Sequence, residues 1–464
     1  MSDWAKVELS ELLTLVIDHR GKTPKKMGFD DFFSKGYPVL SAKHIKNGDL
    51  VNLDNLRYGN NEMYKKWMKE EVKKEDIILT SEAPLGETYY IDNDQKYILG
   101  QRVFGLRVNK EKVVPKYLEI WLSSLKGQQE LFKRASGSTV QGIKQTELLK
   151  ITVDIPPLEI QEKIATIGDS LSKKIKLNTQ TNQTLEQIAQ GIFKHWFIDF
   201  APVHAKANAL ARGETTEQAE LAAMACLSGK TVEKITALKT QDPTAYHQLQ
   251  QTAAAFPSEF VETEMGEVPK GWEVKQVKDM GKIICGKTPS KKKEEFYGND
   301  IPFIKIPDMH NNTFIIKTTD NLSLLGANNQ KTKFIEKGSI CISCIATVGL
   351  VSITSERSQT NQQINSIVPN SEIFTEYLYL YFSQDTMNKK LKDLASGGSA
   401  TLNLNTTAFS NITLLTPNNN LIEFFHKKVQ PVFDKILSNK KENISLSDTR
   451  DELLPKLLSG EIEL

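Results

Sequence analysis

Apolar and polar positions alternate along two long stretches of this chain with one shared spacing. The first series is Ile164, Gly168, Leu171, Ile175, Asn178, Asn182, Leu185, Ala189, Ile192 and Trp196. The second, at a constant offset of 261, is Phe425, Val429, Val432, Ile436, Asn439, Asn443, Leu446, Arg450, Leu453 and Leu457. Steps of four and three in alternation are the heptad seam of a coiled coil, so each stretch predicts a long helix that packs on a partner helix. Both series place two Asn at the same steps, which predicts a fixed register; the other reading is a local flare facing solvent. The first helix is expected after Pro156-Pro157 and before Pro202, the second after Pro417 and the Asn run 418–420, stopping at Ser459-Gly460. Pro431 should kink the second helix or mark its true start. At about 1.5 Å per residue, roughly 40 residues make a rod of about 60 Å, long enough to hold two bodies at least one turn of B-DNA apart, about 34 Å.

The segments before these helices also repeat. Trp4 is matched by Trp272, Gly21-Lys22-Thr23-Pro24 by Gly286-Lys287-Thr288-Pro289, and Tyr37-Pro38-Val39-Leu40 by Ile301-Pro302-Phe303-Ile304. Lys74 to Leu79 matches Lys337 to Ile342 as a buried strand, and Ala135-Ser136-Gly137-Ser138 matches Ala395-Ser396-Gly397-Gly398. Short β-branched runs (Ile151-Thr152-Val153, Ile412-Thr413-Leu414) mix with short helical stretches (Pro115 to Leu125, Thr375 to Phe382). The fold class expected is α+β: two similar α+β heads of about 150 residues, separated by two long helices, with pseudo-twofold character. The boundaries drawn are 1–153, helix 154–203, an Ala/Glu-rich helical connector 204–268, 269–417, and helix 418–464. The connector is expected as short helices broken at Gly213, Gly229 and Pro243, serving as a docking surface or a plain link.

Charge changes this picture a little. The whole chain carries a net charge of only +2. Residues 1–145 hold 24 Lys and Arg against 20 Asp and Glu, residues 272–400 hold 16 against 13, and residues 204–268 hold 5 against 9. The heads are mildly basic and the connector acidic, which permits phosphate binding without establishing it. The start has acidic residues inside its one apolar stretch, so neither a signal peptide nor a membrane span is expected. Four Cys give no disulfide framework, and a reducing cytoplasm is the expected setting.

Candidate chemistry is thin. Gly281 to Thr288 matches the phosphate-binding P-loop pattern, but Lys275 to Met280 is no core strand and Pro289 to Lys293 has no helical spacing, so a nucleotidase built on Lys287 and Thr288 is the weaker alternative. Cys341-x-x-Cys344 has no second ligand pair for zinc. His195 beside Trp196 reads as structural. No Ser/His/Asp grouping or paired-carboxylate pattern occurs, which leaves a binding chain or a bare coiled-coil scaffold. The loops best suited to nucleic acid come in mirrored sets. Lys22, Thr23, Lys25 and Lys26 match Lys287, Thr288, Ser290 and Lys291. Ser41, Lys43, His44, Lys46 and Asn47 lie near Lys305, Asp308, His310, Asn311 and Asn312 in the repeat. Ser136, Ser138, Thr139 and Gln141 match Ser396, Ser399 and Thr401. Lys contacts phosphate, whereas Asn, Gln, His and Ser reach base edges.

With these residues in view, the chain resembles the DNA-specificity subunits of type I restriction–modification systems over nearly its whole length. The resemblance rests on the double repeat and on four stretches: Ile155 to Gln161, Leu185 to Phe197, Gly266 to Trp272 and Leu453 to Gly460. The first head lacks the Gly-x-Val-Pro-x-Gly-Trp lead-in, and Pro417 to Glu423 is a degraded form of the first helix start. The resemblance implies two target-recognition domains inverted by an antiparallel coiled coil, each reading one half of a bipartite, asymmetric site in double-stranded DNA. It implies a chain without catalytic residues, metal or cofactor of its own. Two modification subunits would carry S-adenosylmethionine and methylate adenine, and restriction subunits would carry ATP and Mg.

Overall fold

The computed structural model describes residues 4–264, 266–396 and 402–464. The chain divides into two compact units, Met1–Leu177 with Asn443–Leu464, and Asn178–Glu442. Each holds one head and a stretch of both long helices.

The heads are built to one plan. In the first, the strands Leu13–Asp18, Val103–Val108, Ile77–Ser81 and Leu85–Tyr90 form an antiparallel sheet in that order. In the second, Gly281–Cys285, Ile364–Pro369, Ile340–Ser343 and Val351–Thr354 repeat it, with Phe314–Ile315 added in parallel at the edge. Ile77–Ser81 and Ile340–Ser343 are buried throughout, as suits short runs of apolar and small residues (Ile-Ile-Leu-Thr-Ser and Ile-Cys-Ile-Ser) that carry no charge. A three-stranded sheet also recurs: Tyr37–Leu40 lies between Arg57–Gly59 and Ile98–Leu99, and Tyr297–Ile304 between Asp320–Leu322 and Gln359–Thr360. A two-stranded ribbon closes each head, joining Ala5–Glu8 to Thr152–Ile155 and Glu273–Gln276 to Thr413–Thr416. It brings the start and end of each head together, directly before a long helix.

The expected helices are present as Leu158–Phe197 and Asn419–Ser459. Asn418 caps the second, its Oδ1 accepting from the Leu421 N–H at 2.9 Å. Pro431 does not mark the helix start, for the helix runs through it. Proline removes one backbone hydrogen bond there, but the turns before it are anchored by Leu421, Ile422, Phe425 and Val429, all fully buried in the head's core.

Within each unit the two helices run antiparallel. In the first unit Ile164 shares a core with Leu457 and Leu458. A methyl placed on Gly168 would meet Leu454 Cδ2 at 3.3 Å and Ile120 Cδ1 at 2.7 Å, so glycine lets helix, head and second helix approach here without displacing the Ile120 side chain. Further along, Asn443 Nδ2 donates to the Ile175 carbonyl at 3.2 Å. In the second unit Asn178 Nδ2 donates to Glu442 Oε2 at 2.9 Å, and Asn439 Nδ2 to Asn182 Oδ1 at 2.8 Å. There too, Phe193, Trp196 and Phe425 interlock with ring centroids 5.6–5.9 Å apart. The seam asparagines therefore bond across the seam rather than face solvent. Ile164, Trp196, Phe425, Ile436 and Leu457 are buried, whereas Leu171, Ile175, Leu185, Ile192, Val432, Leu446 and Leu453 are partly buried.

The connector differs at its edges from the sequence expectation. Helices Ala201–Ala211, Thr216–Ser228, Val232–Gln241 and Pro243–Ala255 break where Gly213, Gly229 and Pro243 stand. Residues Phe260–Thr263 and Gly266–Pro269, however, pair as a β-hairpin. The helices enclose a small core of Ala223, Met224, Ile235, Tyr246 and Ala253, while Val203 and Phe256 join the second head's core beside Trp196 and Trp272.

Candidate nucleic-acid interface

One rim of the first head gathers loops from four places in the sequence. Ser136 and Gly142 exchange backbone hydrogen bonds of 2.8 and 3.0 Å, which pinches residues 137–141 into an exposed loop. Ser138, Thr139 and Gln141 sit on it. Ile143 N–H donates to the Ser81 carbonyl at 2.9 Å, and Glu82 bridges Gly142. Arg102 Nε pairs with Glu82 Oε1 at 3.1 Å, and Arg20 Nη1 donates to the Ile143 carbonyl at 3.1 Å. Arg20 thereby ties the Gly21 to Lys26 segment to the Ser136 loop, bringing two of the three expected sets together. Within that segment Lys25 and Lys26 are exposed, and Thr23 Oγ1 accepts from the Lys26 N–H. Lys22 is engaged inward: its Nζ donates to the Trp67 carbonyl at 2.6 Å, and burial holds its pKa below the ordinary lysine value.

The Ser41 set lies elsewhere, beside the long helix. Asp49, on the hairpin that follows it, pairs with Lys176 at 2.6 Å. Lys43, Lys46 and Asn47 are exposed. His44 is not: it is 2% exposed, and its Nδ1 faces the Ser41 N–H at 3.1 Å and Ser41 Oγ at 3.2 Å, closing the turn. Burial, with Lys43 adding to it, pushes its pKa down to about 4, so a neutral ring shapes the loop from within.

The second head repeats the division. Thr288 Oγ1 donates to Gln362 Oε1 at 2.5 Å, Cys344 N–H to the Gln363 carbonyl at 2.8 Å, and Leu404 N–H to the Cys344 carbonyl at 2.8 Å. The Lys287 to Lys291 loop is thus joined to the loops at 361–363, 344–349 and 402–404, with Lys287, Ser290 and Lys291 exposed. Ser396 is exposed, its Oγ donating to the Lys392 carbonyl; Ser399 and Thr401 lie outside the described residues. The Lys305 set again adjoins a long helix. Lys440 Nζ donates to Asn312 Oδ1 at 3.0 Å, and burial lowers Lys440 to about 8. Lys305 pairs with Asp320, and Asp308 accepts from Thr319, so His310 and Asn311 are the exposed members of that set. Arg20, Glu82 and Arg102 on one rim, and Gln362 and Gln363 on the other, escaped the sequence reading. The one available signal was the position of Arg20 directly before the repeated Gly-Lys-Thr-Pro.

The other candidate chemistry is structural. Gly281–Cys285 is an antiparallel strand, and the segment after Thr288 passes into a short 3-10 turn at Glu294–Phe296, so no helix N-terminus stands where a P-loop needs one. Cys341 and Cys344 are buried, and burial raises both thiols to about 12 and about 11. His195 Nε2 lies 3.3 Å from Cys226 Sγ. Among the described residues no group of His, Cys, Asp or Glu is arranged to hold a metal ion, and no helix is long and apolar enough to cross a membrane.

Comparison with known proteins matches this geometry. The family model for the type I restriction modification DNA specificity domain matches residues 1–187 and 269–447, one match per head and following helix. The chain is 47% identical to the type I restriction enzyme HindI specificity subunit of Haemophilus influenzae over the full length of both proteins. It is 25% identical to the MjaIX specificity subunit of Methanocaldococcus jannaschii, over 96% of this chain and 90% of that one. The crystal structure of a type I S subunit from M. genitalium has the same fold, with a TM-score of 0.55 at 15% identity, covering 98% of this chain and 96% of that chain.

Proposed function

The chain belongs to the family of type I restriction–modification DNA specificity subunits, and from that premise we propose that its two heads each read one half of a bipartite, asymmetric DNA site. The observation that carries this reading is the pair of rims. One framework, built twice, carries exposed lysines at equivalent places, Lys25 and Lys26 on one head and Lys287 and Lys291 on the other, beside loops with different polar side chains in each. Exposed Lys25, Lys26, Lys287 and Lys291 supply phosphate contacts, while the Ser138 to Gln141 loop and Gln362 offer base-edge donors and acceptors. Lys22, His44 and Asn312, already bonded within the heads, position their loops.

The chain itself does no chemistry under this reading. It brings two modification subunits, which hold S-adenosylmethionine, to an adenine near each half-site, and restriction subunits, which hold ATP and Mg, to the same complex in the cytoplasm. The test is a salt-titrated binding assay of the chain assembled with its modification subunit, against a randomised duplex library. A two-part motif and an affinity falling with salt, by about 0.9 in the log–log slope per phosphate contact, are expected. Replacing residues 1–153 with those of a relative should change one half of the motif and leave the other. Equal affinity for all duplexes would overturn the proposal.

A further inference from the structure

Because the two heads share a framework, their mismatches are informative. Ile77 pairs with Leu106 as Ile340 pairs with Ile367. One residue back along the next strand, Gly105 pairs with Ile17 as Ser366 pairs with Ile284. One further, Phe104 pairs with Asp18, where the second head pairs Asn365 with Cys285. The shared Gly-Lys-Thr-Pro motif then follows Cys285 directly, but follows Asp18 only after His19 and Arg20. Arg20 thus has no counterpart in the second head, and neither does the carboxylate or the ring that holds it.

That hold is firm. Arg20 Nε donates to Asp18 Oδ1 at 2.9 Å, Nη2 to Asp18 Oδ2 at 2.8 Å, and Nη1 to the Ile143 carbonyl at 3.1 Å. The guanidinium carbon lies 4.0 Å over the Phe104 ring. Burial opposes ionisation of Asp18, but its bonds to Arg20 and the charge of Arg20 hold its pKa below the ordinary carboxylate value. Five guanidinium N–H groups less three engaged leave one on each Nη, on a side chain still 29% exposed. Asp18 cancels the charge of Arg20, which makes the pair a poor phosphate ligand. A planar fork with two remaining donors and its rotamer already fixed suits the two acceptors, O6 and N7, on the major-groove edge of guanine.

We propose that Arg20 is the residue with which the first head selects a guanine in its half-site, an assignment that rests on the DNA-reading function above. The experiment selects bound duplexes from a randomised library with the chain assembled on its modification subunits. The wild-type complex should select a guanine at one position of one half-site. Arg20→Ala should reduce the preference at that base pair by about 10- to 100-fold and leave the other half-site intact. Arg20→Lys should fail at the same position, because a point charge cannot replace the fork, and Asp18→Asn should weaken that position alone. An unchanged motif overturns the assignment. So does a uniform loss across all sequences with a shallower salt slope, which marks a phosphate contact, and so does erasure of the entire half-site by all three variants, which marks a structural role. In each of these cases the wild-type two-part motif still stands, and with it the DNA-reading function. A wild-type complex that selects no motif removes both.

Discussion

At the scale of single side chains, buried histidines act on stability with opposite signs. His426 Nδ1 lies 2.6 Å from Glu376 Oε2, both nearly buried. The hydrogen bond to Glu376 raises the His426 pKa, burial opposes it, and the charges of Glu376, Glu372 and Asp434 add to it. A folded-state pKa above the ordinary 6.5 means that folding favours the protonated ring. This contribution is complete below the ordinary value and fades as pH rises through the raised one. His19 and His44 behave the other way. Burial first, and then Lys22 and Lys43, push each to about 4, so folding favours the neutral ring. Their contribution is present above pH 6.5 and fades as pH falls toward 4. His426→Gln should therefore flatten the alkaline limb of a plot of denaturation midpoint against pH, and His44→Asn the acid limb. Unchanged slopes in both variants would show that the pairings seen here do not govern the titration.

At the scale of elements, the buried asparagines of the seam carry a testable cost. Asn439 donates to Asn182, which donates in turn to the Ile436 carbonyl at 3.2 Å. Asn182→Ala leaves the buried Asn439 amide without that acceptor and should destabilise the second unit by about 1–3 kcal/mol. The double change Asn182→Leu with Asn439→Leu should recover much of this loss, because an apolar pair needs no hydrogen bond, while giving up the polar contact that fixes register. Denaturation midpoints of the wild type, Asn182→Leu, Asn439→Leu and the double variant measure the coupling; strictly additive losses would count against a shared contact. The seam was legible in the sequence because a heptad period leaves a trace in every turn. So was the buried Ile340–Ser343 strand, an apolar run bounded by turn residues. The pairing of Phe260–Thr263 with Gly266–Pro269 was not: the first strand reads Phe-Val-Glu-Thr with three exposed side chains, and backbone pairing alone makes it a strand. Arg20 was not legible as a site either, because Phe104 and Ile143, which hold it with Asp18, come from distant parts of the chain and meet it only through sheet register.

At the scale of the whole molecule, the proposed reading assigns sequence preference to the heads and the gap between half-sites to the helices. The two properties should therefore separate under mutation. Removing Asn178 to Thr184 together with Ile436 to Glu442 takes one heptad from each helix at places that face one another, Asn178 bonding Glu442 and Asn182 bonding Asn439. The remaining seam stays in phase, since Leu185 then follows Ile175 and Asn443 follows Val432 at the spacing their predecessors had. The bond from Asn443 to the Ile175 carbonyl lies outside the deletion and can still fix register. Seven residues at about 1.5 Å each shorten the helix by about 10.5 Å, close to three base pairs of B-DNA at about 34 Å per ten. Sequencing of methylated sites in cells carrying the shortened subunit should return both original half-sites with a gap about three base pairs smaller. Altered half-sites would mean that the helices shape the reading loops, as the contacts of Asp49 with Lys176 and of Asn312 with Lys440 allow. An unchanged gap in a subunit that still directs methylation would mean that DNA deformation, not helix length, sets the spacing.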